Sequence, residues 1–153
     1  MNSLEQTTQL AIELLKQQKV TDFEFSLGKS SGVSTTIRLS NVETLEYHLD
    51  TSFDVSVYFG KNKGQASSGD LSKKSLKNAI ESASLIAKYT QEDPFNGLAP
   101  KERMAWDIPD LDLYHPWSLD AKQSIEIAKE CEQAALEQSE IDNSDGAELS
   151  SFE

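Results

Sequence analysis

The sequence predicts an α+β fold in which an N-terminal helix precedes an antiparallel meander sheet of four to five strands, with a second helix packed on it. Three observations lead to this prediction. Apolar residues recur first at helical spacing, then at every second position over a long stretch, and then at helical spacing again. A further helix and the start of a second region are expected after this unit.

The first helix is predicted over residues 4–19, where apolar side chains follow one another three or four positions apart. Ser3 is its expected N-cap, because a serine hydroxyl can accept a hydrogen bond from the first turn. Thr21 and Asp22 interrupt the helical period, and the helix is expected to end before them.

The sheet is predicted from alternating apolar and polar residues over positions 22–59. Such alternation indicates strands with one buried face, and four of them are expected here. A further turn over residues 60–64 would lead into residues 65–69 as the fifth strand. The other hairpin turns are expected at three short polar stretches, residues 30–32, 40–41 and 50–52.

Two further helices are predicted from apolar stripes. The second begins after a cap at Asp70 or Ser72, and the third begins after Ser118 and ends near Ser139. The glutamates of the third helix, Glu132 among them, are expected to be solvated. The residues expected to face the core are Leu76, Ala79, Ile80, Ala83, Ile86 and Ala87 in the second helix, and Ala121, Ile125, Ala128, Cys131 and Ala135 in the third.

These elements divide the chain into three expected parts. Residues 1–92 form the N-terminal α+β domain, residues 93–117 form an ordered irregular connector, and residues 118–153 start a second, central domain. The connector is too apolar between Trp106 and Trp117 for a free linker, so we expect it to lie against another surface. Residues 147–153 read as a strand without a partner, which suggests a piece of a longer protein.

Charge and cysteine content narrow the classes of function. The 14 Lys and Arg residues stand against 26 Asp and Glu residues, giving a formal charge of −12 that opposes binding to nucleic acid or anionic lipid. One cysteine cannot form an internal disulfide, and the N-terminus lacks the pattern of a signal peptide. No apolar run approaches the roughly 20 residues that span a bilayer. A cytoplasmic protein is therefore expected.

No residue of this chain is assigned a catalytic, metal-binding or cofactor-binding role. A catalytic zinc site generally needs three protein ligands, and the only histidines, His48 and His115, share no ligand spacing. Cys131 is expected to be a small buried residue. The carboxylate pairs Glu43 with Glu46 and Asp110 with Asp112 are expected to be solvated.

Two further patterns, a glycine-rich stretch and a group of lysines, have simple structural interpretations. The glycine-rich stretch 60–69 lacks the spacing of known phosphate-binding loops, so hairpin turns are the favoured interpretation. Five lysines could form a small basic patch around this stretch. Ordinary solvated lysines are favoured instead, because no arginine or aromatic residue is interleaved with them: Lys61, Lys63, Lys73, Lys74 and Lys77.

Four stretches resemble a known family. They are residues 64–72 (GQASSGDLS), 87–99 (AKYTQEDPFNGLA), 109–116 (PDLDLYHP) and 132–136 (EQAAL). They are similar to the N-terminal region of PmbA-type, or TldE-type, members of the TldD/PmbA metallopeptidase family. The resemblance extends over nearly the whole chain from about Val20 onward.

The resemblance implies a cytoplasmic complex in which a PmbA-like subunit pairs with a TldD-like subunit to process or degrade peptides. Family members are also described as modulators of DNA gyrase. The zinc-binding His-Glu-x-x-x-His motif belongs to the TldD-like partner and does not occur here, so zinc is expected on that partner and no cofactor in this chain. The expected role of this chain is subunit assembly and formation of the peptide chamber.

Three alternatives stay open. In the first alternative, the chain is a self-contained acidic protein-interaction module, which could act on gyrase. It would be an acidic mimic of DNA, although its acidic residues are spread over helices, turns and strands. Finally, it would be an independent hydrolase that works through carboxylates alone.

Overall fold

The computed structural model describes residues 3–153 and confirms the α+β fold. The four strands form one sheet in the order β3-β2-β1-β4. A short 3-10 helix, Lys101–Arg103, interrupts the irregular chain before α3. The elements are α1 (Leu4–Lys16), β1 (Asp22–Arg38), β2 (Asn41–Phe59), β3 (Asn62–Ser68), α2 (Lys73–Tyr89), α3 (Ala121–Leu136) and β4 (Ala147–Phe152).

The first two strands are much longer than predicted. β1 and β2 continue through residues 30–32 and 50–52, so both predicted hairpin turns are wrong and four short strands become two long ones. At residues 30–32 the prediction failed because of Gly32, where a methyl group at the Cα would overlap the ring of Phe152. This glycine permits a close approach within a strand and does not mark a turn.

The turn predicted near residues 40–41 is present, one position earlier. Leu39 and Ser40 form the connection between β1 and β2, and both have positive φ angles of 47° and 61°. Such angles at both central residues are typical of the tight turns that match the twist of a hairpin. β1 and β2 therefore run antiparallel.

The outer strands add to this hairpin on either side. β3 pairs antiparallel with β2, and the turn between them contains only Gly60 and Lys61, so it is shorter than predicted. β4 pairs antiparallel with β1 from Gly32 to Ile37. The expectation of a final strand without a partner was wrong, because strand pairing over more than 100 residues leaves no local trace in the sequence.

The chain divides into two compact units that are discontinuous in sequence. Unit 1 combines the chain up to Lys29 with Thr51–Pro109, and unit 2 combines Ser30–Asp50 with Asp110–Glu153. This division differs from the contiguous segments 1–92, 93–117 and 118–153, because the two long strands contribute to both units. Compact units need not coincide with domains, so the predicted division of the chain into these three segments stays a prediction.

The core of unit 1 lies between the sheet and the helices α1 and α2. Ser3 caps α1 through a reciprocal pair of hydrogen bonds with Gln6, and Ser72 caps α2, as the sequence predicted. The predicted stripe of α2 is buried except for Ile86, which is 47% exposed. The buried apolar residues are Ala11, Leu14, Leu15, Phe53, Val55, Val57, Leu76, Ala79, Ile80, Ala83 and Ala87.

In unit 2, α3 contacts the sheet with a different face from the one predicted. Its buried residues are Ser124, Ala128 and Glu132, which follow one another at four-residue spacing. Cys131 is exposed, so its predicted burial was wrong. The helix is capped by Asp120, two residues after the predicted Ser118, and it ends at Leu136. None of the helices in residues 3–153 is long and apolar enough to cross a membrane.

Candidate functional site

The two histidines take part in separate local contacts. Nε2 of His48 lies 3.6 Å from a carboxylate oxygen of Glu46, and Nε2 of His115 lies 2.6 Å from the backbone oxygen of Asp112. Within residues 3–153, no three His, Cys, Asp or Glu side chains are grouped so that they could hold a metal ion. The described residues therefore do not fit the zinc ion that the family resemblance implies for the complex.

The paired carboxylates also serve local structure. Glu43 lies 4.0 Å from the guanidinium of Arg38, across the hairpin turn between β1 and β2. Asp110 accepts a 2.9 Å hydrogen bond from the backbone N–H of Asp112, whose φ angle is positive. Neither arrangement brings two carboxylates onto a shared reactive position.

Glu132 is the polar residue that sequence reasoning missed. Its side chain is 2% exposed, and its two carboxylate oxygens accept 2.7 Å hydrogen bonds from the backbone N–H groups of Leu39 and Ser40. These two groups are the amides of the hairpin turn. One glutamate on α3 therefore anchors the tip of the long hairpin formed by β1 and β2.

The pKa of Glu132 is lowered from its ordinary value, chiefly by the hydrogen bond from Ser40. Loss of solvent around the carboxylate opposes this shift, while the N–H of Leu39, the hydroxyl of Ser144 and the charge of Arg38 lower the pKa further. The buried glutamate is thus held in its charged form. Its place in the series Ser124, Ala128 and Glu132, at four-residue intervals, was the sequence feature that could have revealed it.

A polar groove crosses the outer face of unit 1. It has a volume of about 560 Å³ and is lined by residues of β1, β2 and β3. Beside it, the hydroxyl of Tyr58 donates a 2.7 Å hydrogen bond to Glu24, and Lys63 lies 3.5 Å from the same carboxylate. Burial raises the pKa of Tyr58 most, and the bond to Glu24 raises it further. The polar residues of the groove are Glu24, Ser26, Asp54, Ser56, Gln65 and Ser67.

The glycine-rich stretch and its lysines have structural contacts. Asp70 accepts hydrogen bonds from the hydroxyl of Ser75 and from the N–H and hydroxyl of Ser72, which lower its pKa and brace the start of α2. Lys61 donates a 2.6 Å bond to the backbone oxygen of Asn96, and Lys77 pairs with Glu81 on α2. These contacts favour the interpretation of ordinary structural lysines.

Large apolar side chains stay exposed in both units. In unit 1, Trp106 is 74% exposed and its indole N–H donates to the backbone oxygen of Lys101. In unit 2, Leu113 is 82% exposed, and Tyr47 and Leu49 occupy alternate positions of β2. The predicted connector therefore does not bury its apolar side chains against its own chain. Exposed apolar groups in such number are typical of surfaces that contact another molecule. The others in the connector are Phe95, Ile108, Leu111, Tyr114 and Trp117.

Comparison with known proteins defines the class. Residues 23–87 match the family model described as PmbA/TldA metallopeptidase domain 1. The chain belongs to the PmbA/TldD metallopeptidase family and contains its first domain. Within the family it is similar to PmbA proteins. It is 44% identical to the metalloprotease PmbA homolog of Haemophilus influenzae and 38% identical to the metalloprotease PmbA of Escherichia coli.

Both alignments cover 97% of this chain but 33% of the relative, so the chain spans about a third of the length of these curated relatives. Solved structures share the fold. A protein of Bacteroides thetaiotaomicron, described as a candidate modulator of DNA gyrase, matches 99% of this chain and 39% of its own with a TM-score of 0.79 at 22% identity. The TldE protein of Thermococcus kodakarensis matches 68% of this chain and 23% of its own with a TM-score of 0.58 at 16% identity.

Proposed function

We propose that this chain is the non-catalytic N-terminal region of a PmbA-like subunit of a metallopeptidase complex that processes or degrades peptides. It serves subunit assembly and forms part of the peptide chamber. The partner is a TldD-like subunit, which carries the zinc ion. The complex is cytoplasmic, and the chain itself contacts neither nucleic acid nor membrane.

The observation that carries this proposal is the exposed apolar connector. Ile108 is 76% exposed and Leu113 is 82% exposed, so neither side chain is covered within the described chain. Leaving such side chains in water costs free energy that a partner surface would recover. The curated relatives that share this region are metalloproteases, which makes a subunit of the same enzyme the favoured partner.

The sheet offers a second means of contact for the proposed chamber. Within residues 3–153, β3 and β4 stand at the two ends of the strand order, and each pairs with one neighbouring strand. An extended peptide can add to such an edge through main-chain hydrogen bonds, which tolerate varied side chains. This mode of binding suits a complex that accepts peptides of different sequence.

The test uses the whole protein co-expressed with its TldD-like subunit. Ile108→Asp and Leu113→Asp should each weaken co-purification of the two subunits about tenfold, because a charged side chain is strongly unfavourable in an apolar contact. Leu85→Asp is the matched control, since Leu85 is also exposed, at 58%, but lies on α2 outside the connector. Equal co-purification of all three variants would contradict the proposal.

A deletion separates assembly from metal binding. Removing residues 1–153 from the whole protein should abolish peptide cleavage by the complex while the TldD-like subunit keeps its zinc, measured by elemental analysis. Cleavage that survives this deletion would overturn the proposed role.

An acidic interaction module that acts on gyrase is the second candidate function. It is motivated by the formal charge of −12 and by the description of the Bacteroides structure as a candidate gyrase modulator. Gyrase supercoiling measured with a large excess of the chain tests it directly. Unchanged supercoiling would remove this candidate and leave the subunit role.

A further inference from the structure

The net negative charge of the protein lies in one of its two units. Unit 2 holds 15 of the 26 Asp and Glu residues but only 3 of the 14 Lys and Arg residues, which is a formal charge of −12. Unit 1 holds the remaining 11 acidic and 11 basic residues and is formally neutral. The net negative charge of the chain therefore belongs to unit 2 and is not distributed evenly between the two units.

Unit 2 also carries a cavity with aromatic walls. It has a volume of about 320 Å³, large enough for one or two side chains, and Tyr47 of β2 and Trp117 before α3 both line it. The two aromatic side chains are 72% and 54% exposed, so a ligand can reach them from solvent. Leu119 and Val33 add apolar surface to the same cavity.

The polar part of the lining can accept hydrogen bonds and can attract positive charge. Ser31, Ser118 and Ser151 contribute hydroxyl groups, and Glu153 contributes the carboxylate. The wall that holds Glu153 is fixed, because Ser31 and Glu153 exchange backbone hydrogen bonds of 3.0 and 2.9 Å next to the β1–β4 pairing. A basic side chain entering here would meet two aromatic rings and one carboxylate.

We propose that unit 2 binds a positively charged protein segment, and that an arginine side chain of this segment enters the cavity lined by Tyr47 and Trp117. A guanidinium group stacks on aromatic faces and forms cation–π contacts, for which tryptophan is the strongest partner. The formal charge of −12 on unit 2 steers a basic segment towards this unit and repels an acidic one. This proposal is tested without the TldD-like subunit, because Trp117 also belongs to the connector that is assigned to that partner.

The groove of unit 1 lacks the features that would favour an arginine side chain. It is lined by Glu24, Asp54 and other polar residues, its single aromatic lining residue is Phe25, and unit 1 is formally neutral. Tryptophan is a stronger cation–π partner than phenylalanine. The unit 2 cavity combines Tyr47 and Trp117 with the carboxylate of Glu153, in a unit whose formal charge is −12. The arginine segment is therefore assigned to unit 2.

The test measures fluorescence anisotropy of a labelled synthetic peptide of alternating arginine and serine, titrated with the full chain. We expect saturable binding that weakens strongly at about 1 M salt, where the Debye length falls to about 3 Å. Trp117→Ala and Tyr47→Ala should each weaken binding about fivefold, the loss expected for one cation–π contact. Glu153→Gln should also weaken binding of the arginine peptide.

Two matched controls decide between this site and unspecific attraction. Trp106→Ala removes an exposed tryptophan from the formally neutral unit 1 and should leave the affinity unchanged. Glu102→Gln removes an exposed carboxylate from unit 1 and should also have no effect. Circular dichroism of each variant establishes that it is folded.

Several outcomes would overturn the proposal. They are no saturable binding of the arginine peptide, equal binding of a peptide of alternating glutamine and serine, or equal effects of Trp117→Ala and Trp106→Ala. Self-association that depends on Trp117, detected by sedimentation without peptide, would assign the cavity to a second copy of this chain instead.

Discussion

The backbone N–H of Ser40 donates a 2.7 Å hydrogen bond to Oε2 of Glu132, although 92 residues separate the two in the sequence. This bond joins the tip of the β1–β2 hairpin to the buried face of α3. The hairpin and the helix therefore depend on one another for their positions.

Glu132→Gln should destabilise the chain, because the neutral amide replaces a charged acceptor that binds the backbone N–H groups of Leu39 and Ser40. Glu130→Gln, on the exposed side of the same helix, is the matched control and should have little effect. Chemical denaturation at neutral pH measures both. Equal stability of the two variants would mean that Glu132 does not anchor the turn.

The same comparison should depend on pH. The folded chain lowers the pKa of Glu132 below its ordinary value of 4.5, chiefly through the bond from Ser40. A carboxyl group with a lowered pKa stabilises the fold above its unfolded pKa and loses this contribution as the pH falls through its folded pKa. The stability difference between the original chain and Glu132→Gln should therefore be full above pH 4.5 and shrink below it. A difference that grows on acidification would contradict this assignment.

Gly64→Ala should destabilise unit 1 by about 1–3 kcal/mol, the usual result of overpacking a buried position. A methyl group at Gly64 would overlap the carbonyl oxygen of Ala83 and the backbone nitrogen of Ala87, so α2 would have to move away from β3. Gly69→Ala is the control, because its nearest neighbour would be the backbone oxygen of Thr51 at 3.7 Å. Urea denaturation curves of the two variants should differ clearly in midpoint, and coinciding curves would refute the close packing.

Tyr58 should be recognisable in a spectrophotometric titration of the tyrosines. Burial, followed by the hydrogen bond to Glu24, raises its pKa above the ordinary value of 10.0. Its contribution to stability is therefore complete below pH 10.0 and is lost as the pH rises through the folded pKa. Tyr58→Phe should remove a late-titrating phenolate and cost about 1 kcal/mol of stability. Glu24→Gln should shift the same phenolate to lower pH, and an unchanged titration would argue against the bond.

Cys131 should react with an aromatic disulfide reagent in the native chain. It is the single cysteine and lies on the exposed side of α3, so reaction needs no unfolding. Cys131→Ser should abolish the reaction and change stability by no more than about 0.5 kcal/mol, as is usual for exposed positions. A reaction that starts only in denaturant would place the thiol in the core, as the sequence pattern had suggested.

The local elements of the fold could be predicted because each depends on neighbours in sequence. The caps Ser3 and Ser72 and the stripe around Leu76 and Ile80 follow from side chains within one or two helical turns. The alternation along β1 and β2 similarly follows from the two-residue period of a strand. What failed was the interpretation of glycine and serine as turns at residues 30–32, where the close approach of Phe152 requires Gly32.

By itself, the sequence determined the α+β class, the positions of the helices, the total charge and the family resemblance. Only the tertiary structure decided that β4 pairs with β1, that Glu132 is buried, that Cys131 is exposed and that the charge gathers in unit 2. The physical reason is the same in each case. Helical spacing limits which side chains can share a face, but which of several similar faces is buried depends on the partner that distant chain segments bring to it.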